Sequence, residues 1–431
     1  MPSVSIAIAI LLISFVLLLV LRVPVTFALG LSSVFSALYF NVPLLVIVQK
    51  MAKGIESPSL MAIPFFILAG EIMSAGGISR RIIGFANVLV GRVRGGLAQV
   101  NVLASMFFGG ISGSAVADTS SIGAMLIPMM KADGYDDDYS VAVTVTSSCQ
   151  GVIIPPSHNM IIYSLAAGGL SVGKLFLGGL VPGVILGIAL MIVSYIIAVK
   201  RGYPKGKKVG FIEGIKVSLD AFWGLVTAVI IIGGVLSGIF TATESAAIAC
   251  VYAFFITFFV YKEIPIKAMN DILYNSLKTL ALVLSLIAAA KAFGHMLALL
   301  QVPALATRAL LTVTDNKILL LLLITVLVLL LGCIMDMAPL ILILTPILLP
   351  VVTSLGMDPI QFGVVLILNL AIGLCTPPVG GALFVGCAVG GVSIEKMTKA
   401  LLPFYAVMVI VLLLITFIPQ LVMFVPNLLM G

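Results

Sequence analysis

The two halves of this sequence repeat each other at a fixed spacing. Pro128 recurs as Pro350, Gly151 recurs as Gly373, and the proline pair at 155–156 recurs at 377–378, always at the same offset in residue number. The chain has 431 residues, so each copy fills about half of it. Duplicated hydrophobic halves, each with a Gly/Pro-interrupted segment at the same place, are typical of secondary transporters and point to their binding sites.

Hydropathy indicates that these halves lie in a membrane. Hydrophobic residues make up 62% of the chain, charged residues only 9%, and the mean hydropathy is +1.31, whereas a soluble domain carries about 25% charged residues. Apolar runs of transmembrane length occur at 4–21, 24–46, 176–199, 224–240 and 401–426. A run of about 20 residues crosses the hydrocarbon core as a helix. The run 4–21 lacks a basic leader and a cleavage site, so we interpret it as a transmembrane helix. We expect an all-α polytopic membrane protein with about 10–12 membrane helices.

The net charge of +7 reflects topology in this interpretation, because the basic residues concentrate in short loops. One linker contains Lys200, Arg201, Lys205, Lys207, Lys208 and Lys216. Short loops rich in Lys and Arg are cytoplasmic. No charged residue follows Lys399, which predicts that the C-terminal end lies on the opposite side. The basicity therefore predicts no nucleic-acid partner.

The basic linker, residues 200–216, divides the chain into a first half, 1–199, and a second half, 217–431. Each half is predicted to contain scaffold helices, a re-entrant hairpin, an interrupted helix and a closing helix. The hairpins are expected near 100–130 and 318–352, and the interrupted helices near 140–165 and 361–387.

The charges of two connectors indicate how the halves are oriented. The connector 76–96 contains four arginines, and its counterpart 298–318 contains Arg308 and Lys317 as its basic residues. This asymmetry favours opposite faces of the membrane. We therefore expect an inverted repeat.

Each predicted hairpin has a polar tip. The Gly/Ser-rich run 109–123 includes Ser112, Ser114 and Asp118, and its counterpart is the break around Asp336. Non-helical backbone at membrane depth is tolerated only where protein or a water-filled cavity satisfies it. Ser112 and Ser114 are two residues apart and would not share a helix face, which favours a loop. The alternative is that the small residues only allow close helix packing.

The duplicated proline pairs predict two unwound segments. Proline removes a backbone donor and clashes with the carbonyl four residues earlier, so carbonyls around 151–154 and 373–376 should become free. These carbonyls and nearby side-chain oxygens suit Na⁺, and half-helix N-termini favour an anionic substrate. The alternative is a pair of kinks that bind nothing.

Ionisable residues within apolar sequence are functional candidates. Asp336 is the strongest, because apolar residues flank it on both sides. Asp118 and Glu244 are candidates too, although each could instead cap a helix. His158, beside the first proline pair, either contacts substrate or is a packed or solvated histidine. Five dispersed cysteines and two histidines predict neither disulfide nor zinc site.

These segments together resemble the large membrane subunit of tripartite ATP-independent periplasmic (TRAP) transporters, the DctM-like proteins, from end to end. One departure is Ala242, where the family often has proline. The matching segments are MAIPFFILAGEIM (61–73), SGSAVADTSSIG (112–123), GVIIPPS (151–157), ESAAIACVYAFF (244–255), DPIQFG (358–363) and LCTPPVG (374–380).

The resemblance implies a Na⁺-driven importer of organic acids in the bacterial inner membrane, with an elevator mechanism. It implies a small four-helix membrane subunit and a periplasmic substrate-binding protein as partners. It implies one Na⁺ site formed by Ser147, Ser148 and Gly151 with the first hairpin, and another formed by Asn369, Gly373 and Thr376 with the Asp336 hairpin. It places the substrate between these two sites, and the sequence at 155–159 looks more like relatives that carry sugar acids such as sialic acid. The substrate residues expected are Ser112, Ser114, Pro155, Ser157 and Asp336.

Three other functions are weighed against this one. A C4-dicarboxylate carrier of the same family differs only in substrate. A stand-alone symporter with the same architecture would need no binding protein. An intramembrane enzyme would need a catalytic constellation, and the sequence contains no such motif.

Overall fold

The computed structural model describes residues 2–206, 209–314 and 316–430. Lys207 and Lys208 of the basic linker lie outside the described residues. Within the described ranges the chain is helical and forms no β-strand, apart from an isolated antiparallel bridge between Arg94 and Lys205. The prediction of an all-α protein is therefore confirmed.

The first half contains ten α-helices among its described residues. They are α1 (Val4–Val20), α2 (Val25–Tyr39), α3 (Leu44–Ile55), α4 (Ala62–Ala75), α5 (Ile78–Val90), α6 (Gly96–Ser112), α7 (Ala115–Ala132), α8 (Asp137–Gly151), α9 (His158–Ala166) and α10 (Val172–Lys200). The predicted apolar run 24–46 is not one helix, because Asn41 adopts a positive φ of 58° and Pro43 precedes α3.

The described part of the second half also contains ten. They are α11 (Phe211–Leu236), α12 (Ala242–Phe255), α13 (Met269–Leu299), α14 (Val302–Val313), α15 (Lys317–Gly332), α16 (Met337–Ser354), α17 (Pro359–Leu374), α18 (Gly381–Gly390), α19 (Ile394–Phe417) and α20 (Gln420–Met430). A π-helical turn, Ile256–Tyr261, extends α12.

In the described chain, six helices are long and apolar enough to cross a membrane: α10, α11, α12 with its extension, α13, α16 and α19. The pair α4 and α5, bent by 73°, is a seventh candidate. This agrees with a polytopic membrane protein. The predicted 10–12 spans exceed this count, so shorter apolar helices such as α1 and α15 would have to supply the remainder.

The helices form two packed groups. In one group, α13 packs against α2, α3 and α4, and α12 packs against α4 and α11. In the other, α7 and α8 pack against α6 and α18, and α17 packs against α15, α16 and α19. Contacts of α13 with α16 and of α4 with α6 join the groups. This arrangement brings the hairpin tips towards α4 and α13.

The helix bounds follow the sequence repeat. The offset that relates Pro128 to Pro350 also relates both ends of α7 to both ends of α16, and the start of α8 to the start of α17. Both α8 and α17 stop before a proline pair with a cis peptide bond, Pro155–Pro156 and Pro377–Pro378. The helical breaks, residues 152–157 and 375–380, overlap the segments predicted to unwind, 151–154 and 373–376, and extend beyond their C-terminal ends.

Candidate transport site

A cavity of about 710 Å³ lies between the two helix groups. Glu71 and Ser74 of α4 line one wall, together with Thr279 of α13. The hairpin tips line the other wall, and they contribute the cavity-lining residues Ser112, Ser114, Ala115, Asp336 and Met337. The sequence therefore identified both tips that meet in this cavity.

Three helices begin at the cavity. First-turn residues Ala115 of α7, His158 of α9 and Met337 of α16 all line it. The first amides of a helix have no intrahelical acceptor, and the helix dipole makes this end partly positive. The described lining includes no Lys or Arg. Positive potential in the cavity must therefore come from helix ends and from any bound cation.

The hairpin tips are held by local hydrogen bonds. Ser114 is the N-cap of α7, and its Oγ accepts a hydrogen bond from the Ala117 amide at 3.4 Å. The Ser114 amide in turn donates to Ser112 Oγ, also at 3.4 Å. Gly113 between them has a φ of +61°, and a side chain there would meet the His158 ring at 2.6 Å. Both serines thus present hydroxyls at a tight turn, as a loop at 112–114 requires.

Of the remaining substrate candidates, one lines the cavity and two do not. Asp336 is exposed at the cavity, at the N-cap position of α16, and its side chain makes no cap hydrogen bond. Pro155 and Ser157 are buried in the helical break, and neither belongs to the cavity lining. His158 and Asn159, which follow them, do line it. The structure thus brings Ser112, Ser114 and Asp336 together and leaves the two break residues behind the wall.

Asp118 is the most unusual polar residue of the first hairpin. It is completely buried within α7, and both its carboxylate oxygens are without a hydrogen-bond partner among the described residues. It does not cap α7, because Ser114 does. A Cβ on Gly151 would lie 3.5 Å from Asp118 Oδ2, so the carboxylate faces the end of α8. A buried carboxylate is costly unless a proton or a cation compensates it.

The hydroxyl groups of Ser105 and Ser148 face this carboxylate, and they belong to a buried polar network of α6 and α8, the helices that pack against α7. Ser147 Oγ donates to Asn101 Oδ1 at 3.1 Å, and Ser105 Oγ donates to Ser147 Oγ at 3.3 Å. Ser148 Oγ donates to the Thr144 carbonyl at 2.8 Å. A donating hydroxyl retains oxygen lone pairs, so these groups can still face a cation. Sequence reasoning missed Asn101 and Ser105, although their i, i+4 spacing on the apolar helix α6 was a visible signal.

The second interrupted helix has a weaker version of this arrangement. Asn369 Nδ2 donates to the Thr325 carbonyl at 2.8 Å, while the buried Oδ1 has no partner in the described part of the chain. Thr376 Oγ1 donates to the Ile372 carbonyl at 2.7 Å. Gly373 packs directly on the backbone of Gly332. Asn369 therefore offers one free, buried acceptor at the counterpart of Ser147.

Glu244 belongs to a capping box and lies outside the cavity lining. Its Oε2 accepts hydrogen bonds from the Thr241 amide at 2.7 Å and from Thr241 Oγ1 at 2.9 Å. The Glu244 amide donates to Thr241 Oγ1 at 3.2 Å. The capping alternative for Glu244 accounts for its position. α12 begins at Ala242 without the proline common in the resembled family.

Comparison with known proteins identifies the family of the chain. The chain matches the family "Tripartite ATP-independent periplasmic transporter, DctM component" over residues 12–421. It is 41% identical to the sialic acid TRAP transporter large permease SiaM of Vibrio cholerae, covering 89% of this chain and 90% of that protein. It is 37% identical to the C4-dicarboxylate TRAP transporter large permease DctM of the same organism, covering 99% and 98%.

Solved structures show the same fold at low sequence identity. The YdaH transporter of Alcanivorax borkumensis superposes with a TM-score of 0.65 at 14% identity, covering 94% of this chain and 97% of that one. The named relatives are transporter permeases and not enzymes, which confirms the prediction of a non-enzymatic protein. The chain belongs to the DctM family of TRAP transporters and is a multi-pass membrane permease subunit.

Proposed function

We propose that this chain is the Na⁺-coupled, substrate-translocating subunit of an importer for a sugar-acid monoanion, with sialic acid as the favoured substrate. The buried Asp118 carboxylate is the observation that carries the Na⁺ assignment, because no described group hydrogen-bonds either of its oxygens. A cation beside it would offset the cost of burying this charge. Oxygen-rich, partly unwound segments hold coupling ions in other secondary transporters.

The proposal contains two Na⁺ sites, one in each half of the chain. Asp118 would hold the first ion together with Ser147, Ser148 and backbone carbonyls near Gly151. The oxygens of Asn369, Gly373 and Thr376 would hold the second, with Asp336 contributing from the hairpin tip. Na⁺, when bound, supplies positive charge next to a cavity whose described lining contains no basic side chain.

The substrate carboxylate would lie against the N-termini of α7, α9 and α16, near Ser112 and Ser114. The helix ends favour an anion there. Glu71 and Asp336 also line the cavity, and they suit the hydroxyl groups of a sugar acid better than a second carboxylate. This arrangement favours a sugar acid over a C4-dicarboxylate, in line with the name of the SiaM relative. Pro155 and Ser157 would support this wall from behind.

The repeat and the two helix groups suggest how substrate crosses. We infer an inverted repeat in which the hairpins and interrupted helices move as a transport domain against a scaffold containing α4 and α13. One charge that moves through 100 mV supplies about 2.3 kcal/mol. Two or more Na⁺ ions could therefore drive accumulation of a monoanion. A small four-helix membrane subunit would brace the scaffold in the bacterial inner membrane, and a periplasmic binding protein would deliver the substrate.

The test is uptake of radiolabelled sialic acid into proteoliposomes that contain this chain and its small membrane partner. The assay is run with and without an inward Na⁺ gradient, and with and without the cognate binding protein. We expect uptake only when both are present. Succinate is the comparison substrate, because uptake of succinate in place of sialic acid would establish the C4-dicarboxylate alternative. Na⁺-driven uptake that needs no binding protein would establish a stand-alone symporter instead.

A further inference from the structure

A second cavity opens on the outer surface of the protein, away from the transport site. This groove, between α5 and α11, has a volume of about 450 Å³. Phe211 and Phe222 are 83% and 52% exposed, so large aromatic faces remain uncovered by this chain. The apolar residues along the groove include Phe85, Val88, Phe211, Ile215, Leu219 and Phe222.

One end of the groove is cationic. Arg92 lines it, and its Nη2 donates to the Val209 carbonyl at 3.3 Å, which fixes the guanidinium at this end. The backbones of Arg94 and Lys205 are joined beside it by the isolated antiparallel bridge. All three side chains are exposed, and none forms an ion pair with any described residue. The positive charges of this cluster are therefore available to bind a partner outside the chain.

Two arginines of α5 are already paired with carboxylates. Arg81 on α5 pairs with Asp220 at 3.0 Å and with Glu263 at 2.8 Å, and Arg80 approaches Glu263 at 3.5 Å. Glu213 and Lys216 lie in a neighbouring depression that shares Gly210 and Phe211 with the groove, and neither of the two charged residues lines the groove itself. The free positive charge is thus concentrated at the mouth of the groove and not spread along α5.

We propose that this groove is a binding site for one anionic phospholipid. An acyl chain would lie along the apolar walls of α5 and α11, and the headgroup phosphate would contact Arg92 with Arg94 and Lys205 nearby. Arginine matches phosphate oxygens with a planar array of donors. Basic clusters at the membrane surface attract anionic lipids. The change from apolar to cationic along one groove fits a phospholipid better than a protein helix, which would need an apolar face along its whole length.

A lipid bound in the groove would contact two parts of the chain, α5 and α11. α5 is the arm that leaves α4 at a 73° bend, and α11 begins the second half after the basic linker. A lipid seated between them would fill space that no described side chain fills. We therefore expect the bound lipid to stabilise the protein without taking part in substrate binding.

Native mass spectrometry of the detergent-purified chain tests this proposal with added phosphatidylglycerol or phosphatidylcholine. We expect a bound phosphatidylglycerol, at least tenfold preferred over phosphatidylcholine, and loss of this preference in Arg92→Glu. Arg308→Glu is the matched control, because Arg308 is an exposed arginine on α14, the counterpart of α5 in the repeat. Equal binding of both lipids, or equal loss in both variants, would overturn the proposal.

A second variant separates a defined groove from diffuse electrostatic attraction. Ser218→Trp places a large side chain in the groove lining and leaves the net charge unchanged. We expect it to lose bound phosphatidylglycerol while remaining monodisperse with an unchanged thermal midpoint in lipid-free detergent. Undiminished binding in this variant would contradict a groove site. If the small membrane subunit displaces the lipid and Arg92→Glu prevents subunit association, the groove is a protein interface and the proposal is wrong.

Discussion

The first hairpin and interrupted helix, α6–α9, and the second, α15–α18, share their helix bounds but not their chemistry. α7 and α16 are related at both ends by the offset of the sequence repeat, and both proline pairs have the same backbone geometry. At the same offset, however, the buried Asp118 corresponds to Leu340, and Ser114 corresponds to Asp336. The duplication has kept the helical breaks, while the carboxylate lies deep in the first copy and at the tip of the second.

This difference indicates separate roles for the two carboxylates, Asp118 and Asp336. A deep carboxylate without a hydrogen-bond partner needs a bound proton or a bound cation in the folded molecule, and this requirement suits a cation site. The Asp336 carboxylate lines the cavity and is available to a ligand there. Under the proposed function, the stronger Na⁺ site would therefore lie in the first half, and the second half would contribute Asp336 to the substrate and to the weaker Na⁺ site.

The largest expected effect comes from Asp118→Asn. A hydrogen bond or contact to a charged group contributes about 1.5–3 kcal/mol, so affinity for Na⁺ should fall roughly 10- to 100-fold. The thermal midpoint without Na⁺ should not fall, because the variant no longer buries an uncompensated charge. The measurement is the Na⁺-dependent shift of thermal unfolding. Asp133→Asn, which changes an exposed aspartate at the end of the same helix, is the control and should retain the full shift.

Asn369→Ala tests the weaker counterpart in the second half. Its free Oδ1 is a neutral acceptor, so we expect about a fivefold loss of Na⁺ affinity, corresponding to about 1 kcal/mol. Gln361→Ala is the matched control on α17, because its buried amide donates to the Ile415 and Thr416 carbonyls at 3.0 Å. That control should lower stability and leave Na⁺ affinity unchanged. Equal Na⁺ responses in the two variants would remove Asn369 from the site.

Close backbone contacts at Gly151 and Gly373 test whether the two interrupted helices are packed equally tightly. A Cβ on Gly373 would meet the Gly332 carbonyl carbon at 2.4 Å, and a Cβ on Gly151 would meet Gly109 Cα at 2.8 Å. Both neighbours are backbone and cannot rotate away. Gly373→Ala and Gly151→Ala should each lower stability by about 1–3 kcal/mol, with the larger loss at Gly373. Gly294→Ala, on α13 in open space, should not lower the thermal midpoint.

The smallest effect concerns the loop that precedes each interrupted helix. Tyr203 donates a hydrogen bond to Asp136 at 2.7 Å and Arg201 pairs with it at 2.8 Å, and together they hold the pKa of the Asp136 carboxyl below its usual range. A lowered pKa in the folded state means that this stabilisation is present above about pH 4 and is lost as the pH falls through the folded pKa.

Thermal unfolding of wild type and Asp136→Asn between pH 7 and pH 3 measures this contribution. We expect less than about 1 kcal/mol, because the pair is exposed to solvent. The advantage of the wild type should shrink below about pH 4. A gap between the two proteins that does not change with pH would show that charge is not its cause. Asp358, the counterpart, instead accepts a hydrogen bond from the Ile360 amide at 2.7 Å.

The sequence predicted the backbone of the site better than its chemistry. Proline pairs and glycine-rich tips determine where helices end, because these residues act on the local backbone, and the hairpins and breaks were therefore placed within a few residues. The environment of Asp118 depends on which face of α7 meets α6 and α8, which is a tertiary property. For the same reason the sequence did not single out Asn101 and Ser105, and it could not show that Pro155 and Ser157 are buried outside the cavity lining.

The central claim is that Na⁺ coupling depends on the buried carboxylate of the first half. The most direct test is the initial rate of sialic acid uptake against external Na⁺ concentration, in proteoliposomes with both partners, for wild type, Asp118→Asn and Asp336→Asn. We predict that Asp118→Asn shifts the half-saturating Na⁺ concentration at least tenfold. Asp336 belongs to both the proposed substrate site and the second Na⁺ site, so Asp336→Asn should raise the KM for substrate and shift the Na⁺ dependence by a smaller factor. An unchanged Na⁺ dependence in Asp118→Asn, with normal uptake, would contradict the account.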